Sequence, residues 1–528
     1  MKRLISSVLL GAVALGGVAQ SIPAKPRLVV GIIVDQLRTD YIELLQDYFG
    51  ERGFQTLLRD GAYLRDVDFR ASGLDAANAT ALLYTGAYPS ETGVPSASIY
   101  DRNTPGITMR PPLATPAAGG SISNDSFTPE SLRLSTISDE IAIDSKGNSA
   151  IYAIALDPQQ AVIMAGHAGK GAYWINNTSG NWATSSYYGA LPATLNNRNF
   201  RTPLSQRIDT MTWKATAVAR GIEGGNAGFK HTFSRSDRDV YKKFAASALA
   251  NAEITDVAIE LLNSLNPGVS ANRTDMLNIA YTLAPFKYAA DGAGRTELVD
   301  SYLRLDSQLA RLFNAIDNSV GIDNTLIWLS GTGYYDDAVL EDKKYRIPGG
   351  EFSVKKAKSL LNSFLSAKYG SAEYVGAIRD GQVYLDRGTI EGKRLPADEV
   401  ISEARTFLIK MSGVADAYTI SDILSPSSPD EESLRLSVDP KICGDIFVRY
   451  APGWSVVEDD RYPPVTKPVR ESMIATPALI RGAGIAKSVV STPVEATAIA
   501  PMVTGRLRIR SPNGSRSRPI ELPGQRKQ

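Results

Sequence analysis

Residues 27–34 form a near-continuous run of apolar and β-branched side chains that ends in Asp35. Such a run is typical of a β-strand that is buried on both faces, as in parallel sheets covered by helices. A long amphipathic segment, Glu297–Ile316, predicts a helix with one apolar face. Three further apolar runs predict strands, at residues 150–155, 276–282 and 325–330. The alternation of strands and helices indicates an α/β core with a mostly parallel sheet.

The carboxyl ends of parallel strands are where an α/β sheet places its ligands. Asp35 and the turn after strand 325–330 are therefore predicted to lie at the functional edge. That turn reads Gly331-Thr332-Gly333-Tyr334-Tyr335 and carries neither a carboxylate nor an imidazole. Two helices are predicted earlier in the chain, at Thr39–Leu58 and Ala76–Tyr84.

Two stretches interrupt the alternation and divide the chain. Residues 104–220, rich in Gly, Asn, Ser and aromatics, predict an irregular insertion over the sheet edge. Residues 347–439 predict a small α+β cap, with helices at Ser353–Tyr369 and Ala397–Met411 and a strand at Gln382–Leu385. The core is then discontinuous, and its last segment is expected to hold a helix near residues 494–504. The core segments are 26–103, 221–346 and 440–505, and a basic tail covers 506–528.

The N-terminus has the pattern of a secretory signal peptide over residues 1–19. Met1-Lys2-Arg3 is basic, an apolar stretch runs from Leu4 to Val18, and cleavage is expected after Ala19. An uncleaved membrane anchor is the alternative, although the stretch is short for a span and rich in Gly, Ala and Ser. We therefore expect an exported protein, periplasmic or at the cell surface or secreted, without a transmembrane segment in the mature chain.

Charge and cysteine content exclude several classes of protein. The chain has 57 basic and 56 acidic residues and so lacks the overall charge footprint of a nucleic-acid-binding protein. Cys443 is its one cysteine, which rules out an intramolecular disulfide framework. The basic tail is interpreted as a solvated, partly disordered terminus, with a binding patch as the alternative.

Seven short motifs occur in the order and spacing of one known family and together cover nearly the whole mature chain. They are Val29–Gln36, Leu83–Gly86, Tyr100–Arg102, Ala165–His167, Gly171–Trp174, Asp300–Asp306 and Ser511–Ser515. On these motifs the chain resembles the alkaline phosphatase superfamily, in its phosphate-irrepressible (PafA-type) branch next to the type I phosphodiesterases and nucleotide pyrophosphatases. The resemblance implies a three-layer α/β fold. In active members it also implies two zinc ions, bound by Asp and His, and a Thr or Ser nucleophile.

Alignment without gaps from the nearest motif shows which functional residues of the family this chain retains. The first metal ligand is retained as Asp35, whereas the nucleophile position is Ala76. The other metal-ligand positions hold residues that do not bind zinc through their side chains, namely Pro285, Ala289, Thr332, Gly333 and Ala475. The phosphate-binding positions fall on Ala97, Asp157 and Gln159. The acid at Asp157 reverses the charge of the family's Lys-x-Arg clamp, so it would repel phosphate.

The histidine content shows that a shift in alignment does not explain these losses. The family uses three metal-binding histidines, and this chain has only His167 and His231. His167 matches a family histidine outside the metal site and is interpreted as structural. No family ligand position falls at His231.

Asp35, the retained ligand, has two interpretations. With Asp336 and Asp337 it would be the remnant of a cation site, which would suit Ca²⁺ or Mg²⁺ better than zinc. The favoured interpretation is a carboxylate kept by packing or by backbone N–H groups. On that interpretation the zinc of the family is not bound and no cofactor is expected.

The other polar side chains near the predicted site are interpreted as structural. Thr80, Thr85 and Ser330 carry hydroxyls but have no adjacent base or metal to activate them. Tyr334 and Tyr335 are interpreted as filling the vacated metal pocket, with stacking on a ligand as the alternative. Such filling removes buried carboxylates that are costly without their cation.

The leading hypothesis is an exported, catalytically inactive alkaline-phosphatase-like protein that acts as a binding or scaffolding component of the cell envelope. Its partner would be an envelope protein, a glycan or a lipid, bound by the insertion around Trp174–Tyr188, the cap or the basic tail. The alternative is a divergent phosphate- or sulfate-ester hydrolase with a site rewired around Asp35, Asp75, Asp336 and Asp337. A third hypothesis is small-ligand binding in the former cleft.

Overall fold

The structure is a computed structural model. It describes residues 24–102, 106–109, 127–222, 228–288, 294–336, 349–460, 464–469, 474–482 and 484–522. The predicted signal peptide, Ala289 and Asp337 lie outside these ranges. Within them, no helix is long and apolar enough to cross a membrane.

A nine-stranded sheet forms the centre of the described fold, which confirms the predicted α/β class. Strand Leu28–Asp35 lies in its middle and pairs in parallel with Asp275–Thr282 on one side and Thr325–Gly331 on the other. In spatial order the strands are Ser488–Val490, Ala62–Leu64, Ala478–Arg481, Thr325–Gly331, Leu28–Asp35, Asp275–Thr282, Ile151–Ile154, Gly171–Ile175 and Trp182–Ala183. Ala478–Arg481 and Trp182–Ala183 run antiparallel to their neighbours, so the sheet is mostly parallel.

Helices cover both faces of this sheet. Alternate side chains of Leu28–Asp35 point to opposite faces, so Val30 and Ile32 join one apolar cluster and Val29 and Ile33 the other. The α-helices outside the cap are Thr39–Leu45, Phe54–Asp60, Ala76–Thr85, Pro89–Thr92, Ile137–Asp144, Pro158–Ala165, Ala193–Arg201, Leu204–Arg207, Ala217–Ile222, Val240–Ala245, Ala248–Leu265, Arg295–Ser319 and Ile499–Leu507. Short 3₁₀ helices are Gln46–Tyr48, Pro129–Ser131, Ser186–Tyr188, Ile208–Thr210, Ile322–Asn324 and Ala496–Ala498.

The cap has its own sheets and its own apolar core. Its helices are Val354–Tyr369, Arg387–Gly392, Ala397–Leu408, Ile420–Leu424 and Pro429–Ser437. One sheet has the order Val375–Arg379, Gln382–Leu385, Ile446–Tyr450 and Val414–Thr419, and a second has the order Glu351–Ser353, Ser455–Glu458 and Val465–Pro468. Two-stranded pairs elsewhere are Thr212–Lys214 with Lys230–Thr232, Val67–Asp68 with Val494–Glu495, and Ser98–Asp101 with Gly106–Met109.

The prediction of a single helix at Thr39–Leu58 is wrong, because the helical conformation ends at Tyr48 and resumes only at Phe54. Asp306, from the long helix Arg295–Ser319, accepts hydrogen bonds from the backbone N–H groups of Gly50 and Phe54, both at 2.8 Å. A Cβ at Gly53 would lie 2.1 Å from Asp306 Oδ1. The carboxylate therefore fastens the loop and starts a new helix at Phe54.

The insertion predicted at residues 104–220 is wrong in its middle part, which belongs to the core. Ile151–Ile154 and Gly171–Ile175 are parallel strands of the central sheet, and Trp182–Ala183 is its edge. The aromatic stretch proposed as a binding surface is largely interior, since Trp174 is fully buried and Tyr188 is 9% exposed. Apolar side chains of these short strands pack beneath helix Pro158–Ala165.

The other predicted boundaries also shift. The cap extends beyond residue 439, because Ile446–Tyr450, Ser455–Glu458 and Val465–Pro468 complete its two sheets. The helix expected near 494–504 is Ile499–Leu507. The described part of the tail is not a disordered terminus, since Leu522 is buried and Arg510 forms an ion pair with the buried Glu140.

Candidate functional site: the position of the family's metal centre

Asp35 ends the central strand, and its carboxylate is bound by two hydroxyl groups. Thr332 Oγ1 donates to Asp35 Oδ1 at 2.9 Å, and the Tyr334 hydroxyl donates to the same oxygen at 2.6 Å. Thr332 Oγ1 also accepts the backbone N–H of Gln36 at 3.0 Å. Both hydroxyl-bearing side chains are buried. The turn after strand Thr325–Gly331 thus supplies donors to Asp35 where the family would supply metal ligands.

By the register of the motifs, Gly333 aligns with a histidine of the family, and Phe69 fills the space beside it. The backbone of Gly333 has φ +76°, in the left-handed region. A Cβ added there would lie 2.3 Å from Phe69 Cδ2, well inside van der Waals contact. Phe69 is buried among the apolar side chains of one face of the sheet. Both the conformation and the packing exclude a larger side chain at Gly333.

Tyr335, the next residue of the turn, is buried and forms hydrogen bonds through its hydroxyl. Its hydroxyl donates to the backbone oxygen of Leu37 at 2.9 Å and lies 2.5 Å from Thr476 Oγ1. Burial raises the pKa of Tyr335, so the phenol stays protonated and can donate. Ala475, at the family's last histidine position, accepts the backbone N–H of Thr39 at 3.0 Å. The packing agrees with the interpretation that the two tyrosines fill the former pocket.

Asp336 is engaged by Gln36. Gln36 Nε2 donates to Asp336 Oδ2 at 2.9 Å, and the backbone N–H of Asp336 donates to Gln36 Oε1 at the same distance. Gln36 is buried and has φ +60°, in the left-handed region. This reciprocal pair fixes the turn to the end of the central strand. Gln36 was not singled out by the sequence, and its place directly after the retained ligand is the signal that would have found it.

Ala76, at the nucleophile position, is the first residue of helix Ala76–Thr85, which Asp75 caps. Asp75 Oδ1 accepts hydrogen bonds from the backbone N–H groups of Ala77 and Asn78, both at 2.9 Å. Asp75 Oδ2 accepts hydrogen bonds from the Ser96 hydroxyl at 3.0 Å and from the Ala97 N–H at 2.7 Å. Burial raises the pKa of Asp75, although these hydrogen bonds oppose the shift. Each carboxylate oxygen thus accepts two donors and helps to hold the local backbone.

Asp157 and Gln159, which align with the phosphate-binding Lys-x-Arg of the family, form hydrogen bonds to main-chain groups. Asp157 caps helix Pro158–Ala165 by accepting the N–H groups of Gln159 (2.7 Å) and Gln160 (3.3 Å). Gln159 Nε2 donates to the backbone oxygen of Ala97 at 2.8 Å. Gln160 Nε2 donates to Thr80 Oγ1 at 3.2 Å. The contact between Gln159 and Ala97 joins two of the three positions that the alignment assigns to phosphate binding in the family.

The three hydroxyls considered as nucleophiles are fully buried and bonded to main chain. Thr80 Oγ1 donates to Ala76 O at 2.6 Å, and Thr85 Oγ1 donates to Ala81 O at 2.7 Å. Ser330 Oγ donates to Gly331 O at 3.0 Å. These hydrogen bonds fit the interpretation of the three residues as helix and turn residues.

Both histidines have structural partners. His167 Nδ1 lies 3.0 Å from Asp139 Oδ2, and Nε2 lies 2.9 Å from Leu132 O. The hydrogen bond to Asp139 raises the pKa of His167, and burial opposes that shift. His231 Nε2 lies 3.0 Å from Glu297 Oε1, and its ring packs within an aromatic cluster that includes Phe286. Phe286 follows the partly buried Pro285, so aromatic packing adjoins one former ligand position.

The described residues do not fit the two-zinc site of the family. Within the described ranges, no group of three or more His, Cys, Asp or Glu side chains could hold a metal ion. Asp35 Oδ1 already accepts two hydroxyls, and Phe69 occupies the space beside Gly333. Zinc requires imidazole, thiolate or carboxylate ligands, and Thr332, Gly333, Ala475 and Pro285 provide none. Ala289 and Asp337 lie outside the described residues.

Comparison with known proteins places this chain in a family. The sequence profile of the type I phosphodiesterase / nucleotide pyrophosphatase family matches residues 29–473. The chain belongs to that family, within the PafA-type branch of the alkaline phosphatase superfamily. The resemblance predicted from the seven motifs is therefore confirmed.

Particular relatives match over almost their whole length. Alkaline phosphatase PafA of Elizabethkingia meningoseptica is 27% identical over 98% of both chains. Alkaline phosphatase PhoV of Synechococcus elongatus is 24% identical over 93% of this chain and 92% of its own. A crystal structure of a PafA mutant matches with a TM-score of 0.81, at 25% identity, over 94% of this chain and 98% of that one.

The PafA mutant also bears on the register used above. Its four substituted positions carry Thr, Asn, Lys and Arg in the wild type. The Thr and the Asn lie as far apart in that sequence as Ala76 and Ala97 do here, and the Lys and the Arg as far apart as Asp157 and Gln159. The spacing therefore supports the alignment of these four residues with those positions.

Proposed function

We propose that this protein is an exported, catalytically inactive alkaline-phosphatase-like protein that acts as a binding or scaffolding component of the cell envelope. The observation that carries the proposal is the Asp35 carboxylate, which accepts the hydroxyls of Thr332 and Tyr334 at 2.9 and 2.6 Å. In the family this carboxylate is a metal ligand. Here its neighbours stabilise it as a hydrogen-bond acceptor within the fold.

Loss of the nucleophile supports the same proposal. Ala76 has no functional group, and Thr80 is fully buried with its hydroxyl bonded to a main-chain oxygen. Attack on a phosphate ester needs a nucleophile activated by a base or a metal. Asp157 adds a negative charge at the clamp position, which disfavours an anionic substrate.

A binding role is supported by what the chain retains. The central sheet and the cap are complete without the metal site, because their stability comes from apolar clusters on both faces of the sheet and inside the cap. Export rests on the N-terminal pattern of residues 1–19. An envelope protein or a glycan is the proposed partner, with no role for nucleic acid.

The alternative is a divergent phosphate- or sulfate-ester hydrolase with a rewired site. Asp75 is the residue that favours it, because burial raises the pKa of this carboxyl, as happens in many catalytic acids. The four donors on the Asp75 carboxylate weigh against it, since two are N–H groups of the helix that it caps and two belong to the loop that holds Ser96 and Ala97.

A turnover assay tests the proposal. We expect the purified mature protein to hydrolyse aryl phosphate monoesters, aryl phosphate diesters and aryl sulfates no faster than buffer, with Zn²⁺, Mg²⁺ or Ca²⁺ added. Alkaline phosphatase PafA of Elizabethkingia meningoseptica, assayed in parallel, is the positive control. Turnover that Asp35→Ala or Asp75→Ala abolishes, while the variant stays folded, would establish the hydrolase instead.

A further inference from the structure

A second cleft lies where the cap, the core and the C-terminal tail meet. It has a volume of about 270 Å³. Cap helix Pro429–Ser437 contributes Glu432, Arg435 and Leu436 to its lining. Core residues 86–88, 90 and 91 with Arg70 and Thr497, and tail residues 514, 516 and 517, complete it. None of these residues belongs to the former metal or phosphate positions.

Five charged side chains of the lining, together with Glu495, which pairs with the lining residue Arg70, form what we term the charge ring of this cleft. They make three ion pairs, which are Arg70–Glu495 (3.0 Å), Arg435–Glu432 (2.7 Å) and Arg516–Glu91 (2.8 Å). The pairs also act on one another. The hydrogen bond from Arg435 lowers the pKa of Glu432, and the charge of Arg70 adds to that shift. The pKa of Arg435 is raised mainly by Glu432 and further by Glu91.

These ion pairs are weak enough for a ligand to replace one partner of a pair. The Arg516 side chain is 84% exposed, and those of Arg435 and Arg70 are each 43% exposed. Ion pairs with such exposure contribute little to stability, because water screens them. The charged groups are therefore positioned around the cleft by the fold and remain open to a ligand that offers better hydrogen bonds.

The charge balance and the geometry of the groups indicate which ligand fits. Three guanidiniums and three carboxylates give the ring no net charge, so it does not favour a ligand of either sign. A guanidinium offers a fork of donors and a carboxylate offers paired acceptors. Two adjacent hydroxyl groups match either arrangement. Tyr88 adds a half-buried aromatic ring to the lining, and Ser90 adds a hydroxyl.

We propose that this cleft binds a neutral saccharide. Vicinal hydroxyls would donate to Glu432 or Glu91 and accept from Arg435 or Arg516. Binding would bridge the cap and the tail to the core, because the ring draws its side chains from all three. The inference rests on the binding role proposed above, for which it specifies the class of partner, and it holds whether or not the protein has hydrolase activity.

Ligand-observed saturation-transfer NMR on the full mature protein tests this proposal. The probes are maltose, cellobiose, lactose and N,N′-diacetylchitobiose, with galacturonic acid and glucose 6-phosphate as acidic comparators. We expect at least one neutral disaccharide to bind, and Arg435→Ala to weaken its binding about tenfold or more, because charged hydrogen bonds are lost. Arg59→Ala is the matched control. Arg59 is an exposed arginine paired with Asp60 at 2.9 Å, and it is not among the residues lining the cleft.

Two results would overturn the proposal: no neutral disaccharide binds, whether or not the acidic sugars do, or Arg435→Ala binds as tightly as the wild type. Thermal unfolding of both variants shows whether each is folded. The turnover assay is independent of this test. Turnover with intact saccharide binding would reject catalytic inactivity alone, and absence of both would reject the saccharide site alone.

Discussion

Gly333→Ala is expected to lower the free energy of unfolding by about 2–5 kcal/mol, although it adds a single methyl group. Two effects combine at this position. The backbone φ of +76° is unfavourable for a side chain, and the new Cβ would lie 2.3 Å from Phe69 Cδ2. Phe69 is buried and cannot move without disturbing the cluster around it. Urea unfolding followed by circular dichroism measures the change.

Gly147→Ala is the matched control for this prediction. Gly147 has φ +80°, and an added Cβ would meet no atom within 4 Å. It should therefore show the backbone cost alone, about 1–2 kcal/mol. If the two variants lose the same stability, Phe69 does not fill the former ligand position as described. A larger loss at Gly333 would also predict that a histidine placed there destabilises the fold.

Asp75→Ala is expected to cost about 2–5 kcal/mol of stability, because it removes a helix cap and leaves buried donors unpaired. The N–H groups of Ala77, Asn78 and Ala97 all bond to this carboxylate, as does the Ser96 hydroxyl. Asp157→Ala is the control. Asp157 also caps a helix, by accepting the N–H groups of Gln159 and Gln160, and the loss of a helix cap costs about 0.5–2 kcal/mol.

The stability of Asp75→Ala also separates the two candidate functions. A residue that shapes the fold shows its effect in urea unfolding, in the absence of any substrate. A catalytic acid shows it in turnover, with stability retained. Wild-type stability combined with lost hydrolysis would therefore contradict the structural role assigned to Asp75.

The central layout was accessible from the sequence because it depends on local patterns. The apolar run before Asp35 and the run before Gly331 predicted two strands that end at the same edge of the sheet, and the structure pairs them in parallel. The periodicity of Glu297–Ile316 predicted the long helix, which extends to Arg295–Ser319. The register of short motifs aligned Ala76 and Ala97 with functional positions of the family, and Asp75, next to Ala76 in the chain, accepts the N–H of Ala97.

The partners that fill the former site were not accessible, because they are distant in sequence. Phe69 approaches Gly333, and Thr476 approaches Tyr335, only in the folded sheet. Asp306 breaks the predicted first helix from about 250 residues away by binding the N–H of Phe54. No periodicity in a single segment reports contacts of this kind.

The predicted insertion failed for a different reason. Strands Ile151–Ile154 and Gly171–Ile175 are short and lie among polar, Gly-rich segments. Composition averaged over residues 104–220 therefore resembled irregular structure. The apolar run at residues 150–155 did predict the first strand, but its place in the central sheet depends on pairing with Asp275–Thr282 and Gly171–Ile175, which only the assembled sheet provides.

Zinc binding tests most directly the central claim, which is that the positions of the family's metal site are packed as part of the protein interior in this chain. The mature protein would be exchanged into metal-free buffer, loaded with a slight excess of Zn²⁺, desalted and assayed for metal by mass spectrometry, with Asp35→Ala in parallel. We predict well below one zinc per chain, with no difference between the two proteins. Two zinc ions per wild-type chain, lost in Asp35→Ala, would contradict the account.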